Sequence, residues 1–227
     1  MSRLVVYGDI HGCRNALVKL RKKIKPKKKD IEICVGDIIK KGKDSIGVLD
    51  YLQKHDIESV LGNHEEKIVK YLLHKKVGKK NPIYLNKEEK EIVKNLSKKN
   101  IKYLLNMPYF IKIKHIVVVH GGLQNHLSLN RLSKLEKSKI IKMRFLDINN
   151  HLKTYDKENK NSIYWSKLYN GNQGFVVYGH QWAKEIRADK HSLGIDTGCV
   201  YGNKLTAVVF KDFRKKSYKV FQVKCKH

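Results

Sequence analysis

Five short motifs place metal-binding side chains just past apolar runs: Gly8-Asp9-Ile10-His11-Gly12, Gly36-Asp37, Gly62-Asn63-His64-Glu65, His120-Gly121-Gly122 and Tyr178-Gly179-His180. Two cations roughly 3.5–4 Å apart can clamp a phosphoryl group and activate water between them. Such a pair needs one carboxylate able to bridge both ions, and Asp37 is the natural candidate. Asp9 and His11 stand two apart on one loop and can both reach the first ion. Asn63, His120 and His180 complete the second. Mixed carboxylate, imidazole and amide donors suit Mn²⁺ first, then Fe, Zn²⁺, Co²⁺ or Mg²⁺, rather than an all-oxygen calcium site. The flanking glycines admit positive φ and close backbone approach.

These residues need a frame that brings five loops together. The runs before them, Leu4–Tyr7, Ile31–Val35, Ser59–Leu61, Ile116–Val119 and Phe175–Tyr178, are apolar or β-branched and read as strands. A polar residue past a strand's C-terminal end sits at the sheet rim, where α/β folds place their sites. Leu17, Leu20 and Ile24 recur at helical spacing after the first motif, as do Ile46, Leu49 and Leu52 after the second. The resulting βαβ order predicts a mainly parallel sheet with outer helices. Helices are expected from Glu65 to about His74, around Glu88–Leu96 and over Ser128–Met143. Tyr109–Ile113 pairs with Ile116–Val119 as a hairpin, and Leu193–Ile195, Lys204–Phe210 and Ser217–Val223 read as further strands. The chain is expected to form one domain over 1–227, with 75–106 as a helical insertion or cap.

This order of motifs resembles the phosphoprotein phosphatase superfamily of metallophosphoesterases over nearly the whole chain. The resemblance implies an α/β, calcineurin-like fold: a central β-sandwich flanked by helices, with two metals at one rim. It implies Asp9, His11 and Asp37 on the first metal and Asp37, Asn63, His120 and His180 on the second. His64 corresponds to the general acid that protonates the leaving oxygen. Ser/Thr protein phosphatases read Gly-Asp-x-x-Asp-Arg-Gly in the second motif, where the second Asp orients that His and the Arg binds phosphate. Here Lys40 and Lys41 stand instead, in Gly36-Asp37-Ile38-Ile39-Lys40-Lys41-Gly42-Lys43-Asp44-Ser45. That pattern is similar to the ApaH-like branch, which includes symmetrical diadenosine tetraphosphate hydrolases, although Lys43 replaces that branch's usual Pro. The runs Trp165–Gly171 and Ile195–Gly202 also resemble this branch. Without the Asp, His64 needs another orienter. Lys41 meets phosphate as a point charge, without the planar grip of Arg. Arg144 is the candidate phosphate-clamping Arg, Arg14 a second, and Tyr201 a further substrate contact.

The net charge is +28, with 49 Lys and Arg against 21 Asp and Glu. A positive field favours polyanions such as dinucleoside polyphosphates, RNA ends and inorganic polyphosphate. Only seven of the basic residues are Arg, and the abundance of Lys, Ile and Asn matches an AT-rich genome, so the charge says little about substrate. No apolar stretch is long enough to span a membrane. Met1-Ser2-Arg3 leads straight into a motif strand, and a cytoplasmic protein without a signal peptide is expected. Cys13, Cys34, Cys199 and Cys225 are scattered, so free thiols are expected. The expected function is a two-metal phosphohydrolase using metal-bound hydroxide, most readily on a symmetrically cleaved dinucleoside polyphosphate. The alternatives are a Ser/Thr-type protein phosphatase acting on phosphoproteins, an RNA 5′-end, cap or polyphosphate hydrolase, and an inactive scaffold.

Overall fold

The computed structural model describes residues 2–78, 81–155, 157–212 and 217–225. Strand β1 (Leu4–Tyr7) leads through helix α1 (Arg14–Ile24) to β2 (Ile31–Cys34), then α2 (Ser45–Lys54) and the two-residue β3 (Glu58–Ser59). Three helices follow: α3 (Asn63–Lys76), α4 (Lys87–Asn95) and α5 (Lys98–Leu105). Next come the hairpin β4 (Phe110–Ile113) and β5 (Ile116–Val119), helix α6 (Lys134–Ile140), and strands β6 (Phe145–Asp147), β7 (Thr154–Tyr155) and β8 (Ser162–Tyr164). The chain continues through α7 (Trp165–Leu168), β9 (Phe175–Tyr178), β10 (Arg187–Asp189), β11 (Ser192–Gly194), β12 (Lys204–Phe210) and β13 (Tyr218–Lys224).

The strands form two five-stranded sheets, ordered β13-β12-β1-β2-β3 and β10-β11-β9-β5-β4, and a small sheet β7-β6-β8. Alternation along each strand decides the layering, because successive side chains leave on opposite faces. Leu4, Val6, Ile33, Val208 and Phe210 of the first sheet meet Ile116, Val118, Phe175, Val177 and Leu193 of the second in one buried cluster. Their neighbours Val5, Tyr7, Cys34, Ala207 and Val209 face the other way, onto α1, α2 and α3. Val117, Val119, Val176 and Tyr178 pack beneath α6 and α7. The sandwich flanked by helices is therefore observed.

Both five-stranded sheets mix parallel and antiparallel pairs. β1 pairs parallel with β2 and β2 with β3, whereas β12 runs antiparallel to β1. β9 pairs parallel with β5 and β11, with β4 and β10 antiparallel outside them. The mainly parallel sheet expected from the βαβ order thus becomes two mixed sheets. Between Ser128 and Met143 only a short 3-10 turn at Leu129–Arg131 and α6 are helical. Ser133 caps α6 by accepting the Glu136 N–H and sets its start inside that stretch.

The cysteines also depart from expectation. Cys199 and Cys225 form a disulfide, with Cα atoms 5.3 Å apart and a sequence separation of 26. The β12–β13 hairpin creates that proximity: Cys225 N–H donates to Asn203 O at 2.8 Å, beside the turn that carries Cys199. Cys13 and Cys34 are free. No helix among the described residues is long and apolar enough to cross a membrane. Closing a loop of this length stabilises a fold by about 3–4 kcal/mol in the chain-entropy picture. Dithiothreitol, or the Cys199→Ser/Cys225→Ser pair, is therefore expected to lower the unfolding free energy by about that amount. A urea titration with and without reductant checks this; superimposable curves would contradict it.

Candidate metal centre

All five motifs leave the C-terminal ends of β1, β2, β3, β5 and β9 at one rim of the sandwich. Cross-links between the loops then fix their geometry. Ile10 and His11 N–H both donate to Asp37 O, at 3.2 and 2.8 Å, and Gly12 N–H donates to Ile38 O at 2.9 Å. The Glu65 carboxylate accepts four backbone N–H groups: Asp37 at 2.8 Å, Ile38 at 3.0 Å, Ile39 at 3.1 Å and Gly62 at 3.1 Å. It is fully buried at the start of α3. His120 Nδ1–H donates to Val35 O at 2.8 Å across the sandwich, and His180 N–H donates to the Asp9 carboxylate at 3.2 Å. Each motif is thereby tied to another.

The loops hold an unusual backbone. His11, Asp37, Lys40, Lys41 and His180 all have φ between 46° and 72°. Non-glycine residues in the left-handed region cost of order 1–3 kcal/mol each and persist only where surrounding contacts over-determine them. The ligand candidates carry the strain themselves, beyond the positive φ expected of the glycines. Gly36 does carry φ +97°, and a Cβ there would stand 3.0 Å from His120 Nδ1.

Asp37 Oδ2 lies at the centre. It is 3.3 Å from His120 Nε2, 3.6 Å from His11 Nε2 and 3.8 Å from His64 Nε2. Donor atoms of His11, Asp37 and His64 lie within 4.8 Å of one another, as do those of Asp37, His120 and His180. Asn63 Oδ1 is 3.1 Å from His120 Nε2. His11 Nδ1–H faces Ile39 O at 3.2 Å, so backbone carbonyls fix the tautomers of His11 and His120 and turn their Nε2 atoms toward Asp37. Asp9 faces the backbone of His180 and belongs to neither group of close donors. His64 joins the first group instead, beside His11 at 5.2 Å between ring centroids.

Burial dominates the electrostatics. It pushes Asp9 well above the usual carboxylate range, helped by the charge of Asp196, and pushes Asp196 itself up to about 6. Burial opposes ionisation of Asp37 too, but the neighbouring imidazoles, His120 first, hold it well below the usual range. In return Asp37 overcomes the burial of His120 and raises it to about 10. Burial takes His11 and His64 down to about 4, and His180 is also lowered, with His120 and Arg144 adding to the effect. Buried carboxylates beside the neutral imidazoles of His11, His64 and His180 form a donor set that fits divalent cations, whose charge would serve the acids as the proton of His120 does.

Lys40 is turned away from His64. Its Nζ meets Glu89 Oε1 of α4 at 2.6 Å, and Lys67 reaches the other oxygen at 2.7 Å. Glu88, also of α4, accepts the Lys41 N–H. The 75–106 segment thus grips the site loop. Among the described residues no second carboxylate pairs with His64; its backbone N–H donates to Asp37 Oδ1 at 3.2 Å, and its Nε2 lies 3.8 Å from Asp37 Oδ2. Lys41 Nζ stands 3.2 Å from His11 Nε2 and 3.1 Å from Tyr201 Oη. Arg144 Nε donates to His180 Nε2 at 3.1 Å, on the far side of the cluster. Lys142, two residues before it, is anchored to buried Glu66 at 2.9 Å. Arg14 lies farther out and pairs with Asp44 at 3.7 Å. Sequence reasoning did not single out Glu65 or Asp196, although both sit inside quoted motifs. An acid at the first turn of a helix directly behind a ligand is the signal that points to Glu65.

The calcineurin-like phosphoesterase family model matches residues 2–214. A bis(5′-nucleosyl)-tetraphosphatase of Oceanobacillus iheyensis, named asymmetrical, is 30% identical over 92% of this chain and 89% of its own length. The Bacillus subtilis protein of the same name is 27% identical over 91% and 90%. A crystal structure provisionally described as a diadenosine tetraphosphatase superposes with a TM-score of 0.82 at 26% identity, covering all of this chain and 95% of the other.

Glu65→Gln replaces two acceptor oxygens by one and leaves buried N–H groups unpaired. It is expected to lower stability by about 2–4 kcal/mol in a urea titration at pH 8; a loss below 0.5 kcal/mol (about one third of RT ln 10) would contradict the role of Glu65. Glu89 is held down at about 2, because Lys40 and Lys67 outweigh its burial. Its stabilising contribution is complete above its ordinary value of 4.5 and is lost as pH falls toward 2. Glu89→Gln should therefore cost about 1–3 kcal/mol at pH 7 and flatten the acid limb of the stability curve between those values.

Proposed function

The chain belongs to the calcineurin-like phosphoesterase family, and we propose that within it this chain hydrolyses dinucleoside polyphosphates, with diadenosine tetraphosphate as the representative substrate. The carrying observation is the Asp37 carboxylate, whose Oδ2 is ringed by three imidazole Nε2 atoms at 3.3–3.8 Å. It supports a centre for two divalent cations, with Asp9, His11 and Asp37 toward the first and Asp37, Asn63, His120 and His180 toward the second. Mn²⁺ is our first choice of ion. When bound, the ions supply Lewis acidity and an activated water.

The chain's own residues do the rest. Lys41 on one flank and Arg144 on the other neutralise non-bridging phosphate oxygens and set the phosphate chain across the centre. His64, whose backbone N–H is anchored on Asp37, delivers a proton from its imidazole to the leaving phosphate oxygen. Burial first, then the charges of Lys40 and Lys41, outweigh Asp37 and keep its imidazole neutral at pH 7, and an arriving polyanion raises its proton affinity. Residues 1–227 act as one unit, with 75–106 as a cap fastened through Glu88 and Glu89.

The names of the relatives specify asymmetrical cleavage, where the sequence resemblance implied a symmetrical cut. The relatives match over nine-tenths of their length, and we follow them on the position of the cut. A cytoplasmic location would expose the Cys199–Cys225 bond to reducing thiols and predicts that it opens there.

Product analysis tests the reading. Mn²⁺-loaded protein incubated with diadenosine tetraphosphate is expected to yield ATP and AMP, faster than it releases phosphate from a phosphothreonine peptide. Two ADP would place the cut at the centre of the chain, and faster peptide dephosphorylation would overturn the substrate assignment. Lys41→Ala is expected to raise KM for the nucleotide about tenfold, the loss of one charged contact; an unchanged KM removes Lys41 from substrate binding.

A further inference from the structure

We propose that Trp182 and Tyr201 form a stacking platform for the nucleobase of the substrate, beside the first-metal side of the centre. This deepens the reading above and rests on it only for the phosphate end of the ligand. Both side chains are more than half exposed, Trp182 at 52% and Tyr201 at 54%, in a chain whose other tryptophan, Trp165, is fully buried. Their ring centroids lie 5.5 Å apart at 47°.

Their position is tied to the chemistry. Trp182 follows the ligand candidate His180 by two residues, on a loop held by the Ala183 N–H donating to Asp196 O at 3.0 Å. Tyr201 Oη accepts from Lys41 Nζ, which also stands 3.2 Å from His11 Nε2. The same ammonium lies 5.4 Å from the Tyr201 ring centroid. Two contacts therefore lead from a ligand candidate to an aromatic surface, and the group between them is a cation. A nucleoside polyphosphate matches that order: phosphates at the metals, charge at Lys41, base on the aromatics.

The platform is built in advance. Tyr201 ends a 3-10 turn, Cys199–Tyr201, closed by its own N–H donating to Gly198 O at 3.0 Å and tied to the end of β13 by the Cys225 N–H donating to Asn203 O at 2.8 Å. Gly198 precedes it at φ +70°, and a Cβ there would stand 3.2 Å from the Trp182 indole. Only glycine lets the turn and the indole approach this closely without strain. Bases of any kind stack on such rings, because each has a π-face, so the platform separates nucleotides from base-free polyphosphates without choosing among bases.

The test compares ADP with inorganic tripolyphosphate on the Mn²⁺-loaded protein. ADP is expected to quench Trp182 emission, and tripolyphosphate is not. By calorimetry, Trp182→Ala is expected to weaken ADP about tenfold more than it weakens tripolyphosphate, with Trp182→Phe recovering most of the loss. Equal weakening of both ligands, or no quenching by ADP, overturns the platform. These readouts do not depend on turnover. A protein that cleaves diadenosine tetraphosphate without quenching refutes the platform alone, and one that quenches with ADP but leaves diadenosine tetraphosphate intact refutes the substrate reading alone.

Discussion

The site depends on one buried carboxylate. Glu65 gathers four N–H groups from two loops, and those loops carry Asp37 and Asn63. Asp37 adopts φ 46°, a conformation its local sequence does not favour. The hydrogen bonds to Glu65 offset that strain and leave the Asp37 side chain facing the imidazoles. Burial pushes Glu65 itself up to about 7, with Asp37 adding to the effect, and the N–H groups pull against both. The charge of Glu65 therefore competes with that of the ligand acids, a cost that a bound cation relieves.

The same economy of contacts joins the two sheets. Their shared interior is aliphatic and aromatic. The rim is matched by polar links, His120 to Val35 and His180 to Asp9, each of which uses a ligand candidate as a structural bond. Positioning and chemistry are thus carried by the same side chains. Binding of ions at this rim draws on both sheets at once, so metal affinity and the stability of the sandwich are linked.

Much of this was legible in the sequence because periodicity and motif position are local signals. The strand ends before Asp9, Asp37, Asn63, His120 and His180 follow from apolar runs broken by Gly and polar residues, and the helices α1 and α2 from spacing alone. The small β6–β8 sheet and the second cap helix α5 were missed. The strands of that sheet are two or three residues long, too short to show alternation. The apolar Ile101, Leu104 and Leu105 of α5 are crowded by Lys and Asn. The Cys199–Cys225 bond, the Lys40–Glu89 clamp and the Trp182–Tyr201 contact join residues far apart in the chain, and their proximity exists only once the sheets have paired. Lys40 is the instructive case. Its type announced a departure from the protein phosphatase pattern, but only the cap shows that its charge serves Glu89 rather than substrate.

The most direct measurement of the central claim is metal stoichiometry. Purified protein dialysed against Mn²⁺ and then against metal-free buffer, and assayed by elemental analysis, is predicted to retain two ions per chain, with Asp37→Asn retaining fewer than one. A single ion in the wild type, or two in Asp37→Asn, would contradict the account of Asp37 as the shared carboxylate.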